Sequence, residues 1–382
     1  MVERSRTSIR SAFAVLFLFF STVAFPASIV VPTLEMITHG SMVGSQFTMQ
    51  TYGNFDIVIQ GGYKFGGSIS VGLLNNTNLE NLPPGPTTLG GINFLGAEMT
   101  IRDVFSAPVS VTYFVGQTDI FCSGVGFAEF SVPAIMTRYR GFLYFPSTDP
   151  LTAPIYDGIY QVQGTGAKVE ITPKENFISF DVYLYEDTHP AFGALGSYSS
   201  DLRFLLNTDN VRLESFLGGT YSPSSPYGIY RGGILFYAAN PSVEFLGQIG
   251  IPEWDPNLDP SFSVDLFYLM VEERVHFGLF SIVPTVFWHP AYYNQQSYPT
   301  ELGTFDVNLN MYVADASKSS FQGGLEGNFR FQSSAGTFTV TASPWVGFAT
   351  PGVLWNVKIN ANLWPFSLST LLDAFVGVRA EL

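Results

Sequence analysis

The sequence predicts a transmembrane antiparallel β-barrel, and three observations predict it. Only 13% of the residues are charged whereas 16% are aromatic, a balance typical of a wall that faces lipid on one side. Apolar and polar residues alternate over segments of about ten residues, the length that a tilted strand needs to cross a bilayer. After the N-terminal region, the chain lacks the run of about 18 apolar residues that a membrane-spanning helix requires.

The first 24 residues predict an export signal. Three arginines, Arg4, Arg6 and Arg10, precede an unbroken apolar run from Ala12 to Phe20. Ala24 follows in a stretch of small residues at cleavage spacing, and Ala27 offers a second cleavage position. Because the apolar run is short for a bilayer span, we expect a cleaved signal peptide over residues 1–24, with 27 as the alternative end.

The last 80 residues show the clearest two-residue alternation. The predicted strands cover residues 304–313, 321–332, 337–348 and 353–363. In the first of them Phe305, Val307 and Leu309 share one face, and Asp306 and Asn308 share the other. The links at 333–336 and 349–352 contain glycine with serine or proline, which predicts tight hairpins.

Earlier strands alternate less regularly. Asn207–Asn210 predicts a tight turn, residues 264–270 predict one strand, and Val275–Phe287 predicts another, with Pro284 marking a bulge or strand end. We expect roughly 14–18 strands, with about 16 as the central value. The barrel is expected to span residues 45–382, after a short N-terminal segment over residues 25–44.

The end of the chain alternates up to its last residue, with apolar side chains at Leu372, Ala374, Val376, Val378, Ala380 and Leu382. This pattern resembles the C-terminal strand of Gram-negative outer-membrane β-barrel proteins. The family usually ends in an aromatic residue, whereas this chain ends in leucine. The resemblance implies a porin-like protein of the outer membrane, surrounded by lipid, whose segment 372–382 is read by the barrel-assembly machinery.

Charge and cysteine content exclude several classes of protein. The net charge is −14, with 17 lysines and arginines against 31 acidic residues, so nucleic acid is not an expected partner. Cys122 is the single cysteine, which excludes an intrachain disulfide and a cysteine-based zinc site. Its glycine-rich apolar surroundings predict a buried, unreactive thiol.

The polar faces of the C-terminal strands supply the candidate pore-lining residues, because a mixed polar lining suits a water-filled lumen. They are Asp306, Asn308, Glu326, Arg330, Asn356, Lys358 and Asn360. The acidic balance of the chain would favour cations over anions if its carboxylates line the pore.

Catalysis is not expected from the sequence. His276 and Ser281 lie five residues apart on one predicted strand, so parity places them on opposite faces. That spacing disfavours a serine–histidine pair, which needs both groups within hydrogen-bond reach. We therefore predict no enzymatic activity and no cofactor.

A metal site has one candidate. Asp255, Asn257 and Asp259 present oxygen ligands at the spacing that begins a calcium loop. Pro260 follows in place of a turn glycine, and Leu266 stands at the twelfth position instead of glutamate. We expect a solvated acidic loop rather than a metal centre.

The favoured function is passive diffusion of small polar solutes, with a preference for cations, through a porin-like outer-membrane channel. One alternative is a non-conducting structural barrel or a barrel that binds or transports apolar ligands, since residues 264–287 are apolar on both faces. A second alternative is a secreted soluble β-sandwich that binds carbohydrate. The sequence leaves the solute and the oligomeric state open.

Overall fold

The computed structural model describes residues 28–43, 46–78, 90–130, 132, 135, 158–173, 177–188, 196–223, 225, 227–257, 262–289, 304–313, 321–332, 336–366 and 372–381. The predicted signal peptide and Leu382 lie outside the described residues. No helix within the described ranges is long and apolar enough to cross a membrane.

The described residues form nineteen strand segments. They are β1 (Ser28–Val30), β2 (Thr33–Val43), β3 (Gln46–Gly61), β4 (Phe65–Asn78), β5 (Gly90–Ile101), β6 (Val109–Phe121), β7 (Tyr160–Ile171), β8 (Ile178–Asp187), β9 (Tyr198–Asn207), β10 (Val211–Tyr221), β11 (Ile229–Ala239), β12 (Val243–Trp254), β13 (Tyr268–Phe277), β14 (Phe280–His289), β15 (Thr304–Val313), β16 (Phe321–Gln332), β17 (Thr337–Thr350), β18 (Val353–Trp364) and β19 (Leu372–Glu381).

The strands form one closed antiparallel sheet. From β2 to β19 each strand pairs with the next, and β19 returns to pair with β2, with Glu381 opposite Thr33. The short β1 pairs with β3 beyond the end of β2, so both segments belong to one interrupted strand of an 18-strand wall. Pro32 lies at the interruption, where its missing N–H cannot enter the ladder. A single closed sheet rules out the two-sheet sandwich expected as an alternative.

One sequence expectation needs correction here. Residues 25–44 were expected to precede the barrel, but Thr33–Val43 is part of its wall. The 18 strands observed lie at the upper limit of the expected range of roughly 14–18, whose central value was about 16. The first strand was missed because its inward face does not alternate cleanly in polarity with the outward face. Apolar Ile37 and polar His39 share the inward face.

The two ends of the barrel differ in their connections. The links between β9 and β10, β11 and β12, β13 and β14, and β17 and β18 are tight turns, and Thr33 and Glu381 lie at this end. The turn predicted at Asn207–Asn210 is confirmed, since β9 ends and β10 begins there. The opposite end carries the longer connections. We call these the short-turn end and the long-loop end.

The outward and inward faces have opposite chemistry. Val307, Leu309 and Phe329 point outward and are exposed, whereas Asp306 and Asn308 between them point inward and are buried. Exposed aromatic residues lie at strand ends beside the long loops: Tyr198, Tyr221, Tyr230 and Trp364. This is the pattern of an apolar band bordered by interfacial aromatic residues.

The region expected to be apolar on both faces is explained by a segment that folds into the barrel. After β6 the chain enters the interior, with a 3-10 turn at Val125–Phe130. We call the described part of it, Cys122–Phe130 with Val132 and Ile135, the inward segment. Its buried side chains pack against inward aromatic residues of the wall, including Tyr160, Phe216 and Tyr268.

The strand predicted over Val275–Phe287 is in fact a hairpin. Strand β13 ends at Phe277, Gly278 adopts a φ of +66°, and β14 begins at Phe280. The turn was missed because it lacks the usual polar turn residues and depends on one glycine with a left-handed conformation. The strand predicted over residues 264–270 also begins later, at Tyr268, after a 3-10 turn at Val264–Leu266.

Candidate functional site

The interior of the barrel is the candidate functional site, and it has two sectors. From β6 to β14 the inward face is rich in aromatic and aliphatic residues that pack against the inward segment. From β15 to β18 the inward face carries mainly amide, hydroxyl and charged side chains. The two sectors follow from the sequence, because only the C-terminal strands alternate cleanly between apolar and polar residues.

Three side chains of the wall hold the inward segment. The Cys122 backbone N–H donates to Glu214 Oε1 at 2.7 Å, and Gln248 Nε2 donates to the Cys122 carbonyl. Further along, Arg274 Nη1 donates to the Ile135 carbonyl at 2.9 Å. Because β10, β12 and β13 each contribute one contact, the segment is fastened to one side of the lumen.

Cys122 is fully buried at the start of this segment, as the sequence predicts. Burial raises the pKa of the Cys122 thiol well above its ordinary value, and the nearby Glu214 carboxylate raises it further. A thiol with a raised pKa carries little thiolate at neutral pH, which makes it a poor nucleophile.

Buried arginines in the apolar sector are neutralised by carboxylates. Arg203 lies 2.9 Å from Glu214 and 3.4 Å from Asp181. Arg231 donates to Asp201 at 2.6 Å and lies with its guanidinium carbon 4.3 Å from the Tyr160 ring centre. Pairing of this kind is what permits charge in a water-poor interior.

The seven residues predicted to line the pore all lie on the inward face of β15, β16 and β18, and the structure joins most of them into a cross-strand network. Arg330 Nε donates to Asp306 Oδ1 at 2.8 Å, and Asn308 Nδ2 donates to Glu326 Oε1 at 2.5 Å. Lys358 Nζ forms an ion pair with the same glutamate. Asn360 Oδ1 accepts from Ser343 Oγ at 2.8 Å.

Most residues of this network are buried against one another. Asp306 and Glu326 are fully buried, and Asn308, Lys358 and Asn360 are nearly so. Arg330 retains 31% exposure of its side chain, and Asn356 is partly exposed. Contact between these residues and a passing solute therefore stays a prediction.

The sequence missed a second group of inward acids, on the N-terminal half of the wall. Asp119 binds Lys168 at 2.9 Å and accepts from the Tyr183 hydroxyl at 2.7 Å. Glu98 accepts from Thr118, and Asp56 accepts from Ser70 Oγ at 2.5 Å.

Asp119 was missed for a specific geometric reason. Thr112 and Phe114 face inward at even positions of β6, yet Asp119 faces inward at an odd one. The register shifts between Gln117 and Ile120, which marks a β-bulge. A bulge reverses the parity of every later residue in the strand, so strict alternation places Asp119 on the wrong face.

In the described part of the calcium-loop candidate, one carboxylate oxygen of Asp255 already accepts hydrogen bonds. Asn257 donates its backbone N–H to Asp255 Oδ1 at 2.8 Å and its side-chain amide to the same atom at 2.6 Å. Asp259 lies outside the described residues. Among the residues that are described, no group of three or more potential metal ligands is found.

The outward face carries a groove of about 730 Å³ across β8–β12. Its lining includes Gly232, which has no side chain, and Ser215, which has a small one. Leu217, Ile234 and Ile249 also line it. Since these residues belong to the exposed apolar face, the groove opens toward lipid and does not lie on a path through the lumen.

Solved structures of similar fold include outer-membrane proteins. Wzi, a carbohydrate-binding β-barrel involved in group 1 capsule assembly in Escherichia coli, aligns with a TM-score of 0.50 and 8% identity over 92% of this chain and 85% of that chain. Pseudomonas aeruginosa OpdK, solved with vanillate, aligns with a TM-score of 0.50 and 8% identity over 94% and 98%. A mutant porin of Rh. blastica aligns with a TM-score of 0.47 and 12% identity over 93% of this chain and 100% of that chain. The sequence matches no protein-family model and no curated protein.

Proposed function

We propose that this protein is an outer-membrane channel through which small polar solutes diffuse passively, with a preference for cations. The apolar outward face and polar inward sector support a barrel that faces lipid outside and water inside. The fold shared with OpdK and Wzi is consistent with this architecture. No covalent or proton-transfer step is needed for passive diffusion.

The preference for cations rests on those interior ion pairs in which one partner is clearly more exposed than the other. In the pair of Lys168 with Asp119, the side-chain exposures are 10% and 25%. The same order holds for Arg203 with Asp119, at 1% and 25%, and for Arg274 with Glu244, at 2% and 24%. A solute entering the lumen therefore meets carboxylate oxygens rather than the cations beneath them.

In the pair of Arg330 with Asp306 the order is reversed, because the arginine side chain is 31% exposed and the aspartate is fully buried. Arg330 lies in the polar sector, on β16, whereas Asp119 lies on β6. Glu98 and Asp56 add partly exposed acids to the same half of the wall as Asp119. Accessible negative charge therefore exceeds accessible positive charge along this half, which raises the local concentration of cations.

The test is conductance in planar lipid bilayers, made with protein that shows heat-modifiable migration on gels. Discrete steps together with a reversal potential of cation-selective sign in a potassium chloride gradient are the expected result. Steps with anion selectivity would overturn the cation preference alone. A folded barrel that gives no steps would overturn the channel.

A second candidate is a non-conducting barrel that binds or transports a ligand. The buried aromatic cluster and the anchored inward segment favour it, because they fill the lumen from β6 to β14. Wzi, a carbohydrate-binding barrel, is a neighbour of that kind. Absence of conductance combined with saturable binding of a sugar or an aromatic acid would select this candidate.

A further inference from the structure

Three inward side chains near the short-turn end form a connected chain of hydrogen bonds. His276 on β13 lies directly opposite Ser281 on β14, and His276 Nδ1 is 2.9 Å from Ser281 Oγ. His276 Nε2 is 3.2 Å from Glu244 Oε1 on β12. The expectation that parity separates His276 from Ser281 was wrong, because the hairpin at Gly278 returns the chain and pairs the two residues on one face.

The chemistry of the partners assigns the proton on the imidazole. The Glu244 carboxylate can only accept, so the Nε2 facing it carries the hydrogen of a neutral imidazole. Nδ1 is then an acceptor, and the Ser281 hydroxyl donates to it. This polarity is the one that general-base activation of a serine requires.

Glu244 and Ser281, at the two ends of this series of hydrogen bonds, also have neighbours. Glu244 Oε2 accepts from Arg274 Nη1 at 2.8 Å and from the Tyr237 hydroxyl at 3.0 Å, which fixes the carboxylate in its ionised form. On the other side, Tyr312 is the partner of Ser281 in register across β14 and β15 and lies on the same face. A phenolic O–H beside the nucleophile can donate to an oxyanion.

We propose that Ser281, His276 and Glu244 form a hydrolytic centre for small carboxylic esters inside the barrel. Ser281 Oγ bonds to the ester carbonyl carbon while its proton passes to His276 Nδ1. The carbon–oxygen bond to the alcohol breaks, and His276 returns the proton to the departing oxygen. Water then attacks the acyl-serine, gives its proton to His276, and releases the carboxylic acid as Ser281 recovers its hydrogen.

The place of this centre limits its substrates. The side chains of His276 and Glu244 are 27% and 24% exposed, so the triad borders accessible space while Ser281 itself is mostly covered. Arg274 Nη1 donates both to Glu244 and to the carbonyl of Ile135, the last described residue of the inward segment. The Nη2 of the same arginine is a buried donor for which the described residues provide no acceptor, and a ligand oxygen would satisfy it. The confined position favours small esters over polymers.

The test uses the detergent-purified, heat-modifiable barrel with two probes, a fluorophosphonate and p-nitrophenyl acetate. The fluorophosphonate is expected to label Ser281, as located by mass spectrometry of the labelled peptide. Ser281→Ala is expected to abolish labelling and to lower the hydrolysis rate at least about 100-fold, as loss of a triad nucleophile does. Glu244→Gln should lower the rate while leaving Ser281 in place.

Ser179→Ala supplies the matched control, because Ser179 is also a buried inward serine and its hydroxyl bonds Thr172 and Asp181 rather than a histidine. It should retain the wild-type rate. Ser281→Cys keeps a nucleophile and should react faster with iodoacetamide than Cys122 does. Hydrolysis that persists in Ser281→Ala, or a wild-type protein that neither labels nor turns over, would overturn the proposal. Conductance is measured separately, so either function can fail alone.

Discussion

Gln248 and Cys122 are joined by a hydrogen bond that ties β12 to the first residue of the inward segment. Gln248 Nε2 donates to the Cys122 carbonyl, and Gln248 Oε1 accepts from the Tyr268 hydroxyl at 3.1 Å. The amide therefore bridges the wall and the segment, and both of its ends are occupied. This relationship makes Cys122 a reporter on whether the segment stays fastened.

Replacing Gln248 with leucine is expected to loosen the inward segment. The Cys122 carbonyl would lose its donor at a cost of about 1–3 kcal/mol, which increases the open population roughly 5- to 150-fold. The measurement is the rate at which a maleimide labels Cys122 in the folded barrel. Gln60→Leu, at the exposed end of β3, is the control. Equal labelling rates in Gln248→Leu and wild type would show that the contact does not hold the segment.

Replacing Glu98 with glutamine is expected to reduce the proposed preference for cations. Glu98 accepts from Thr118 and lies near the acids Asp56 and Asp119, so its removal leaves no cation unpaired. One screened charge contributes a few tenths of a kcal/mol, which corresponds to a permeability ratio changed about two-fold. The readout is the reversal potential in a salt gradient.

Asp209→Asn is the charge-matched control for that experiment. Asp209 lies in the exposed turn between β9 and β10, so the variant removes one negative charge without changing the lumen. An equal shift of the reversal potential in both variants would show that net charge, rather than the position of Glu98, sets the preference.

Replacing Lys358 with methionine is expected to destabilise the barrel. Lys358 and Glu326 are 2% and 0% exposed, and an isolated buried carboxylate costs about 3–5 kcal/mol. The double variant Lys358→Met with Glu326→Gln removes both charges and should recover most of the loss. Stability is followed by the temperature at which the folded gel band disappears. Identical midpoints for the single and double variants would contradict a tightly coupled pair.

Replacing Leu309 with arginine tests whether the outward face meets lipid. Leu309 points outward in the middle of β15, and an arginine near the bilayer midplane costs about 2–4 kcal/mol. Leu279→Arg, in the exposed turn between β13 and β14, should cost about 0–1 kcal/mol. Urea unfolding in lipid vesicles compares the two variants. Equal losses would argue that the wall does not span a bilayer.

The C-terminal strands were predictable because their alternation is strict. The predicted bounds 304–313 and 321–332 coincide with β15 and β16, and β17 and β18 extend the predicted strands by one or two residues. On such strands a single period places every side chain, and the seven residues share the inward face, while their contact with a solute stays a prediction.

Features that interrupt the alternation were not predictable. The bulge between Gln117 and Ile120 hid Asp119, and the glycine turn at Gly278 hid the pairing of His276 with Ser281. The sequence around Tyr268 and Phe287 is apolar and shows no clear pattern of two faces. Nothing local in it indicates that the segment after β6 packs against these inward aromatic residues.

Composition and the two-residue period were enough to establish a closed two-faced wall, since a strand in lipid must bury its backbone hydrogen bonds and turn its apolar side outward. The tertiary structure decided which charged groups are accessible from the interior and which side chains are in contact. Asp119 covers Lys168 and Arg203, and Glu244 reaches His276, through contacts between residues tens of positions apart. Register, bulges and the inward segment set those contacts, and each depends on the whole barrel closing rather than on any local pattern.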